Sequence, residues 1–349
     1  PGLYVLEAPM GMGKTEAEIH LYCKRVLIEQ KAKGLLPDWL RFVRGVVDSE
    51  DLPLSLSRER MQDSALMEKL KKAITGRFLK FLKEESEKDA EKYDAFYDEY
   101  HRFLKEGVLS DYAHQENLAK LLRFDSSITE KGKRTSLTDY VSRMAGDQTE
   151  IYYLLSFNKE TAENAPYYEV FKEKGYEVIF LYDPIDEFVM DRLADFDGKK
   201  LVSAEKSDLK LESNEKEGLT KEQSEDLSKW IKEKLGKDLD EVRASDRLVG
   251  SPVVLLEKDK QMTATMRQIM RSMGKDNDLP PLSMDLEFNP RHPVILRLNA
   301  LRDENAELAG QVVEQLHDNA RIMAGLMDDP RSMVKRLNEL LEKVLEVKK

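Results

Sequence analysis

Residues 41–62 read Arg41-Phe42-Val43-Arg44-Gly45-Val46-Val47-Asp48-Ser49-Glu50-Asp51-Leu52-Pro53-Leu54-Ser55-Leu56-Ser57-Arg58-Glu59-Arg60-Met61-Gln62. The apolar run Phe42–Val47 predicts a strand, and the acidic, proline-containing stretch after it a turn. Ser57 can cap the free amides of a helix that starts there. Beyond it Leu66, Leu70, Ile74, Phe78 and Leu82 step by four and keep one apolar face. Arg58 sits in the first turn of that helix, where the dipole favours acidic residues. A cation in such a place suits an external anion, as an arginine finger does, or is a solvated surface arginine.

Toward the start of the chain, Ile19–Ile28 reads as one half-buried strand, followed by a Pro37-Asp38-Trp39 turn. Toward the end, residues 84–105 read as a continuing charged helix whose buried stripe is Tyr93, Phe96, Tyr97, Tyr100 and Phe103. The apolar runs Ile151–Leu155 and Val178–Tyr182 flank a helical stretch, Ala165–Lys174, which predicts a parallel pair of strands. Asp183-Pro184 ends the second of them. Residues 204–221 carry many charges and few large apolar side chains, and read as a surface connection. Leu227, Ile231 and Leu235 mark a helix, Leu248–Leu256 a strand broken by Pro252, and everything from Pro290 onward is helical.

The whole chain has 349 residues, 35% of them charged, a formal charge of -11, one cysteine and five scattered histidines. Two or three domains fit that length. The acidic balance argues against nucleic-acid binding, which needs a basic stripe, and no apolar run approaches the roughly 20 residues that cross a bilayer. Cys23 alone excludes an internal disulfide framework, and neither the cysteine nor the histidines suggest a metal site. With no initiator Met and no signal peptide, the chain reads as a cytoplasmic protein and a piece of a longer one.

Residues 8–15, Ala8-Pro9-Met10-Gly11-Met12-Gly13-Lys14-Thr15, fit a relaxed phosphate-loop pattern after a short strand, Tyr4–Glu7. Gly11 and Gly13 would let backbone amides cradle phosphate, with Lys14 on the terminal phosphates and Thr15 on magnesium. The string Glu7–Ala17 resembles motif I of CRISPR-associated helicases, so a P-loop ATPase is the alternative reading. A working loop also needs a helix after Thr15 and an acidic strand end. Only three residues separate Thr15 from the next strand-like segment, and Asp98-Glu99-Tyr100-His101 matches a helicase box while lying in an amphipathic helix.

Two further patterns concern partners. Leu308, Val312, Leu316, Ala320, Met323 and Met327 form one stripe; Asp329-Pro330 then restarts the chain, and Met333, Leu337, Leu340 and Val344 repeat at near-heptad steps. A seam at a chain end points to a bundle with a second subunit, a homodimer, against the plainer reading of an internal hairpin. Met262, Met266, Met270 and Met273, with Ile269 between, are either core filling or an adaptable surface for apolar partners. Trp39 and the aromatic residues of the middle segment could add to such a surface.

The block RGVVDSEDLPL with Arg58 and Gln62, and a second block DPIDEFVMDRLADFDGKKLVS at residues 183–203, resemble the HtpG family, the bacterial heat-shock protein 90 chaperones. The likeness covers residues 19–349. It implies mixed α/β and α+β classes: a middle region of two α/β subdomains (ribosomal protein S5 domain 2-like) over 19–203, the connection 204–221, and an α+β dimerisation domain over 222–349 ending in a helical bundle. By the same resemblance Arg58 reaches the γ-phosphate of ATP held in a separate N-terminal domain, with Gln62 nearby, and the Met-rich element contacts client polypeptide. Ser55 stands where the family commonly has Asn. The implied function is that of an ATP-dependent chaperone that binds unfolded clients as a homodimer, with the DnaK system as a candidate partner. ATP and Mg2+ belong to the intact protein, and this piece is expected to bind neither tightly and to be inactive alone. Residues 1–18 are read as an unrelated, poorly anchored segment joined to the rest.

Overall fold

Phe42 lies at the centre of the first packing cluster, its ring stacked on Tyr100 with centroids 4.4 Å apart and 5.0 Å from Phe103. This computed structural model describes residues 3–7, 17–48, 65–206, 211, 218–236, 239–257, 267, 271, 274, 283–327 and 329–346. In chain order the elements are β1 (Leu3–Glu7), β2 (Glu18–Cys23), β3 (Val26–Glu29), β4 (Arg44–Asp48), α1 (Ala65–Lys88), α2 (Ala90–Ser110), α3 (Gln115–Ala119), β5 (Asp125–Ser126) and α4 (Leu137–Arg143). Next come β6 (Ile151–Leu155), α5 (Lys159–Glu163), α6 (Glu169–Lys174), β7 (Val178–Leu181), α7 (Pro184–Leu193), β8 (Asp195–Phe196) and β9 (Lys199–Ser203). The last are α8 (Lys221–Leu235), β10 (Glu241–Ala244), β11 (Val253–Glu257), β12 (Met284–Phe288), α9 (Pro293–Glu304), α10 (Ala306–Met323) and α11 (Arg331–Glu346). They form two units: residues 1–124, 133–142 and 188–198, and residues 125–132, 143–187 and 199–349.

In the first unit the sheet order is β1-β4-β2-β3. The strand predicted from Phe42–Val47 is β4, antiparallel to β1 and parallel to β2. β1 is thus held by pairs from Leu3↔Asp48 to Glu7↔Arg44, against the expectation of an unanchored start. The single strand expected over Ile19–Ile28 is instead a hairpin. Lys24 and Arg25 both have positive φ, 47° and 67°, and pair Cys23 with Val26. Asn-Gly usually announces such a turn; here the Arg25 N–H donates to Asp48 Oδ2 at 3.0 Å and holds it without that signal.

The predicted helix over 66–82 is α1, with Leu70, Ile74, Phe78 and Leu82 buried. It does not continue through 84–105. Asp89 leaves the helical conformation and its carboxylate accepts from Lys92 N–H at 3.0 Å, capping a new helix, α2. Tyr93, Tyr97, Tyr100 and Phe103 are buried on α2 as predicted, with Phe96 half-buried. Trp39 is no client-facing surface: it is 1% exposed, lies against Gly107, and its Nε1–H donates to Asp111 Oδ2 at 3.0 Å.

In the second unit β6 and β7 are parallel and every residue of both is buried, as the continuous apolar runs predicted. β9 runs parallel to β6 on its other side, and β5 antiparallel to β7. Asp183-Pro184 ends β7 and opens α7, with Ile185 N–H donating to Asp183 Oδ1 at 3.2 Å. The strand expected from Leu248 begins only at Val253. The three N–H groups of Val249, Gly250 and Ser251 donate to Glu169 Oε2 at 3.0, 2.9 and 3.1 Å, which holds that stretch as a loop. β12, not foreseen, is the central strand of a second sheet, β10-β12-β11. One core then joins Leu227 and Ile231 of α8, Leu286 and Phe288 of β12, Ile295 and Leu298 of α9, and Val313 and Leu316 of α10.

Candidate functional site

α10 is capped by Asn305, whose side chain accepts from Leu308 N–H at 3.1 Å. Its inward face is Ala309, Val313, Leu316 and Ala320, all buried in the domain's own core. Of the expected stripe, Leu316 and Ala320 are buried in the domain's own core, while Leu308 and Val312 are half-buried at its edge, with Ala309 and Val313 taking the inward positions beside them. The helix stops after Met323: Gly325 takes φ 68°, and Leu326 N–H reaches back to Arg321 O at 2.7 Å. Met327 consequently lies beyond the helix and extends no stripe, while Met323 is 57% exposed.

The restart at Asp329-Pro330 is as predicted. Asp329 accepts from Arg331 N–H at 3.1 Å, and Pro330 O accepts from Val334 N–H at 2.9 Å. Polar bonds orient α11 on α10. Arg336 meets Asp318 at 2.7 Å and Glu314 at 3.0 Å, and Lys343 Nζ donates to Gln311 at 2.8 Å. Met333 is covered and Leu340 half-covered. The opposite face stays open: Val334, Leu337, Leu341, Val344 and Leu345 are 37–76% exposed. Of the residues singled out from sequence, Leu337 and Val344 are on it. Val334, Leu341 and Leu345 were missed, although their spacing of seven and four was legible.

The other sequence-predicted residues fall outside the described ones. Arg58 and Gln62 lie between the end of β4 at Asp48 and the start of α1 at Ala65. Met262, Met266, Ile269, Met270 and Met273 lie between β11 and β12. Gly11, Gly13, Lys14 and Thr15 also lie outside, but their surroundings bear on the phosphate-loop reading. A phosphate loop opens a helix, whereas Thr15 is followed within three residues by β2, a strand of the same sheet as β1. Asp98-Glu99-Tyr100-His101 is inside α2, with Tyr100 in the core. Among the described residues no group of three or more His, Cys, Asp or Glu is placed to hold a metal, and no helix is long and apolar enough to cross a membrane.

Arginine pairing governs the electrostatics of the second sheet. Asp285 and Glu287 project from β12 into buried surroundings, and Arg243 meets them at 3.2 and 2.9 Å. Arg247 adds a second bond to Glu287 at 3.2 Å. Burial tends to lower the Arg243 pKa, but the combined pull of Glu287, Asp285 and Glu241 raises it.

Comparison with known proteins agrees with the motif reading and extends it. The family model described as "Hsp90 protein" matches residues 8–349, beginning inside the segment read as a phosphate loop. The chain is 48% identical over 340 residues to "Chaperone protein HtpG" of Desulfitobacterium hafniense, covering 96% of this chain and 55% of that one. It is 42% identical over 361 residues to "Heat shock protein 75 kDa, mitochondrial" of Bos taurus, covering 98% of this chain and 51% of the other. The chain spans about half the length of the curated relatives it matches. This chain belongs to the Hsp90 protein family.

Proposed function

We propose that this chain is the client-holding and dimerising part of an ATP-dependent, cytoplasmic chaperone. The observation that carries the reading is the open apolar face of α11, in a family member whose last helix is already fixed by polar bonds on its other side. An unpartnered stripe of five aliphatic side chains is costly in water. Covering each recovers roughly 1–2 kcal/mol, and a second copy of the same helix offers a matching stripe.

ATP with Mg2+ would bind elsewhere in the intact protein and supply the phosphoryl group. This chain's contribution would be the Arg58 guanidinium, neutralising charge on the γ-phosphate, with Gln62 beside it. Met262, Met266, Ile269, Met270 and Met273 would supply an adaptable thioether surface for non-native chains. The DnaK system would be the natural neighbour for clients passed between chaperones.

Sedimentation of the chain and of a form ending at Met327 tests the dimer. The expected result is a dimer that becomes a monomer without α11; an unchanged dimer, or a full chain monomeric at micromolar concentration, overturns the assignment. Suppression of aggregation of a denatured test protein, lost when Met266 and Met270 are made Ser, tests client holding; suppression unaltered by those changes removes the methionines from it.

A further inference from the structure

The first unit carries a cleft of about 700 Å3 between α1 and the chain that follows α2. One wall is α1, with Lys69, Lys71, Lys72 and Thr75; the other includes Trp39, Asp111, Tyr112 and His114. In a chain of formal charge -11, three adjacent cations on one wall are a local reversal of sign. Among the described residues none of the three ammonium groups has a hydrogen bond or ion pair. Thr75 is 0% exposed in the lining, and its hydroxyl has no hydrogen-bond partner among the described residues. A buried hydroxyl is ordinarily satisfied, so an unsatisfied one beside a cleft marks a place for a further polar group.

The facing wall is ordered in a way that packing alone does not require. Trp39 Nε1–H donates to Asp111 Oδ2 at 3.0 Å, and Asp111 in turn lies 2.9 Å from His114 Nδ1. With Nδ1 engaged, Nε2 is the ring nitrogen left for a ligand. Tyr112, 76% exposed, presents a flat ring with the Arg192 guanidinium 5.3 Å from its centroid. Asp38, Glu68 and Asp111 also line the cleft and balance the three lysines in formal charge, so the positive charge is local to the α1 wall and suits a ligand with one or two negative charges.

We propose that this cleft binds a small organic anion, a planar ring bearing a phosphate or carboxylate, with the anion on Lys71, Lys72 and His114 and the ring against Tyr112. The proposal does not rest on the chaperone reading.

The test is titration of the 15N-labelled chain with 1-naphthyl phosphate, 1-naphthoate, inorganic phosphate and neutral 1-naphthol, followed on the indole N–H resonances. The chain has two tryptophans, and Trp230→Phe identifies the Trp39 signal. The expected result is a saturable shift of the Trp39 signal alone, with half-saturation below millimolar. Binding weakens tenfold or more in Lys71→Glu/Lys72→Glu and severalfold in Thr75→Val. Stronger binding of 1-naphthyl phosphate than of 1-naphthoate assigns the ligand's anion as a phosphate, and the reverse as a carboxylate. No saturable shift, equal affinity in the double variant with its circular dichroism intact, or equal binding of 1-naphthol would each overturn the proposal.

Discussion

Two glycines in adjacent helices make opposite predictions for one substitution. Gly107 lies in α2, where an added Cβ would stand 2.9 Å from Trp39 Cδ2, 3.0 Å from Leu118 Cδ1 and 3.1 Å from Trp39 Cγ. Gly76 lies in α1, where the same atom would meet nothing within 4 Å. Alanine in a helix interior is favoured over glycine by about 1 kcal/mol, and both sites gain that term. At Gly107 it is opposed by overpacking, typically ~1–3 kcal/mol. The indole cannot move aside cheaply, because it is 1% exposed and tied by Nε1 to Asp111. Gly107→Ala is therefore expected to destabilise the first unit by about 1 kcal/mol net, and Gly76→Ala to stabilise it by a similar amount. At roughly 3–4 °C per kcal/mol for a unit of this size, the two variants separate by about 6–8 °C in melting temperature. The assay is thermal melting followed by Trp39 fluorescence in a Trp230→Phe background, which reports the first unit alone. Equal stabilisation by both substitutions would refute the packing of Trp39 against α2.

The open face of α11 predicts that Leu341→Asp with Val344→Asp weakens self-association at least a hundredfold in sedimentation while leaving the fold intact. Leu316→Asp, buried in the core, is expected to unfold the domain instead. Glu169→Gln keeps the shape of the side chain but loses the carboxylate that collects three N–H groups. A loss of about 1.5–3 kcal/mol in urea unfolding is expected, since bonds to a charged acceptor are the stronger kind. Asp111 supplies the pH prediction. Burial pushes its pKa up, but the bonds from Trp39 and His114 together hold it below the ordinary 3.8. A group with a depressed folded pKa contributes stability above its unfolded value and loses it as pH falls through the folded value. Asp111→Asn should therefore be less stable than the parent at neutral pH and should flatten the acid limb of the stability curve below about pH 4. An acid limb unchanged by the substitution would remove Asp111 as its source.

Elements with a strong local signal were legible in the linear text. β6 and β7 are continuous apolar runs bounded by turn residues, and α1, α2 and α8 carry four-residue steps that put one face inward. The Asp183-Pro184 and Asp329-Pro330 boundaries follow from proline's lack of an N–H and fixed φ. The failures share a different cause. Lys24-Arg25 carries no turn signature, because Asp48, more than twenty residues away in sequence, holds the hairpin. Met284–Phe288 carries Asp285 and Glu287 and so lacks an uninterrupted apolar run, because the arginines that neutralise them come from β10 and the loop after it. Asp89 gives no break signal inside a charged run, although its backbone leaves the helical conformation there and its side chain caps the next helix.

The family followed from sequence alone, since RGVVDSEDLPL and DPIDEFVMDRLADFDGKKLVS are long enough to be distinctive without coordinates. Sequence likewise determined that the chain ends in two amphipathic helices with apolar seams. Which seam stays in the core and which faces outward was decided only in three dimensions. Periodicity specifies the angular spacing of side chains about a helix axis, but not the rotation of that helix against its neighbours. Here Arg336 and Lys343 on α11, bonded to Glu314, Asp318 and Gln311 on α10, set the rotation and leave Val334, Leu337, Leu341, Val344 and Leu345 in solvent.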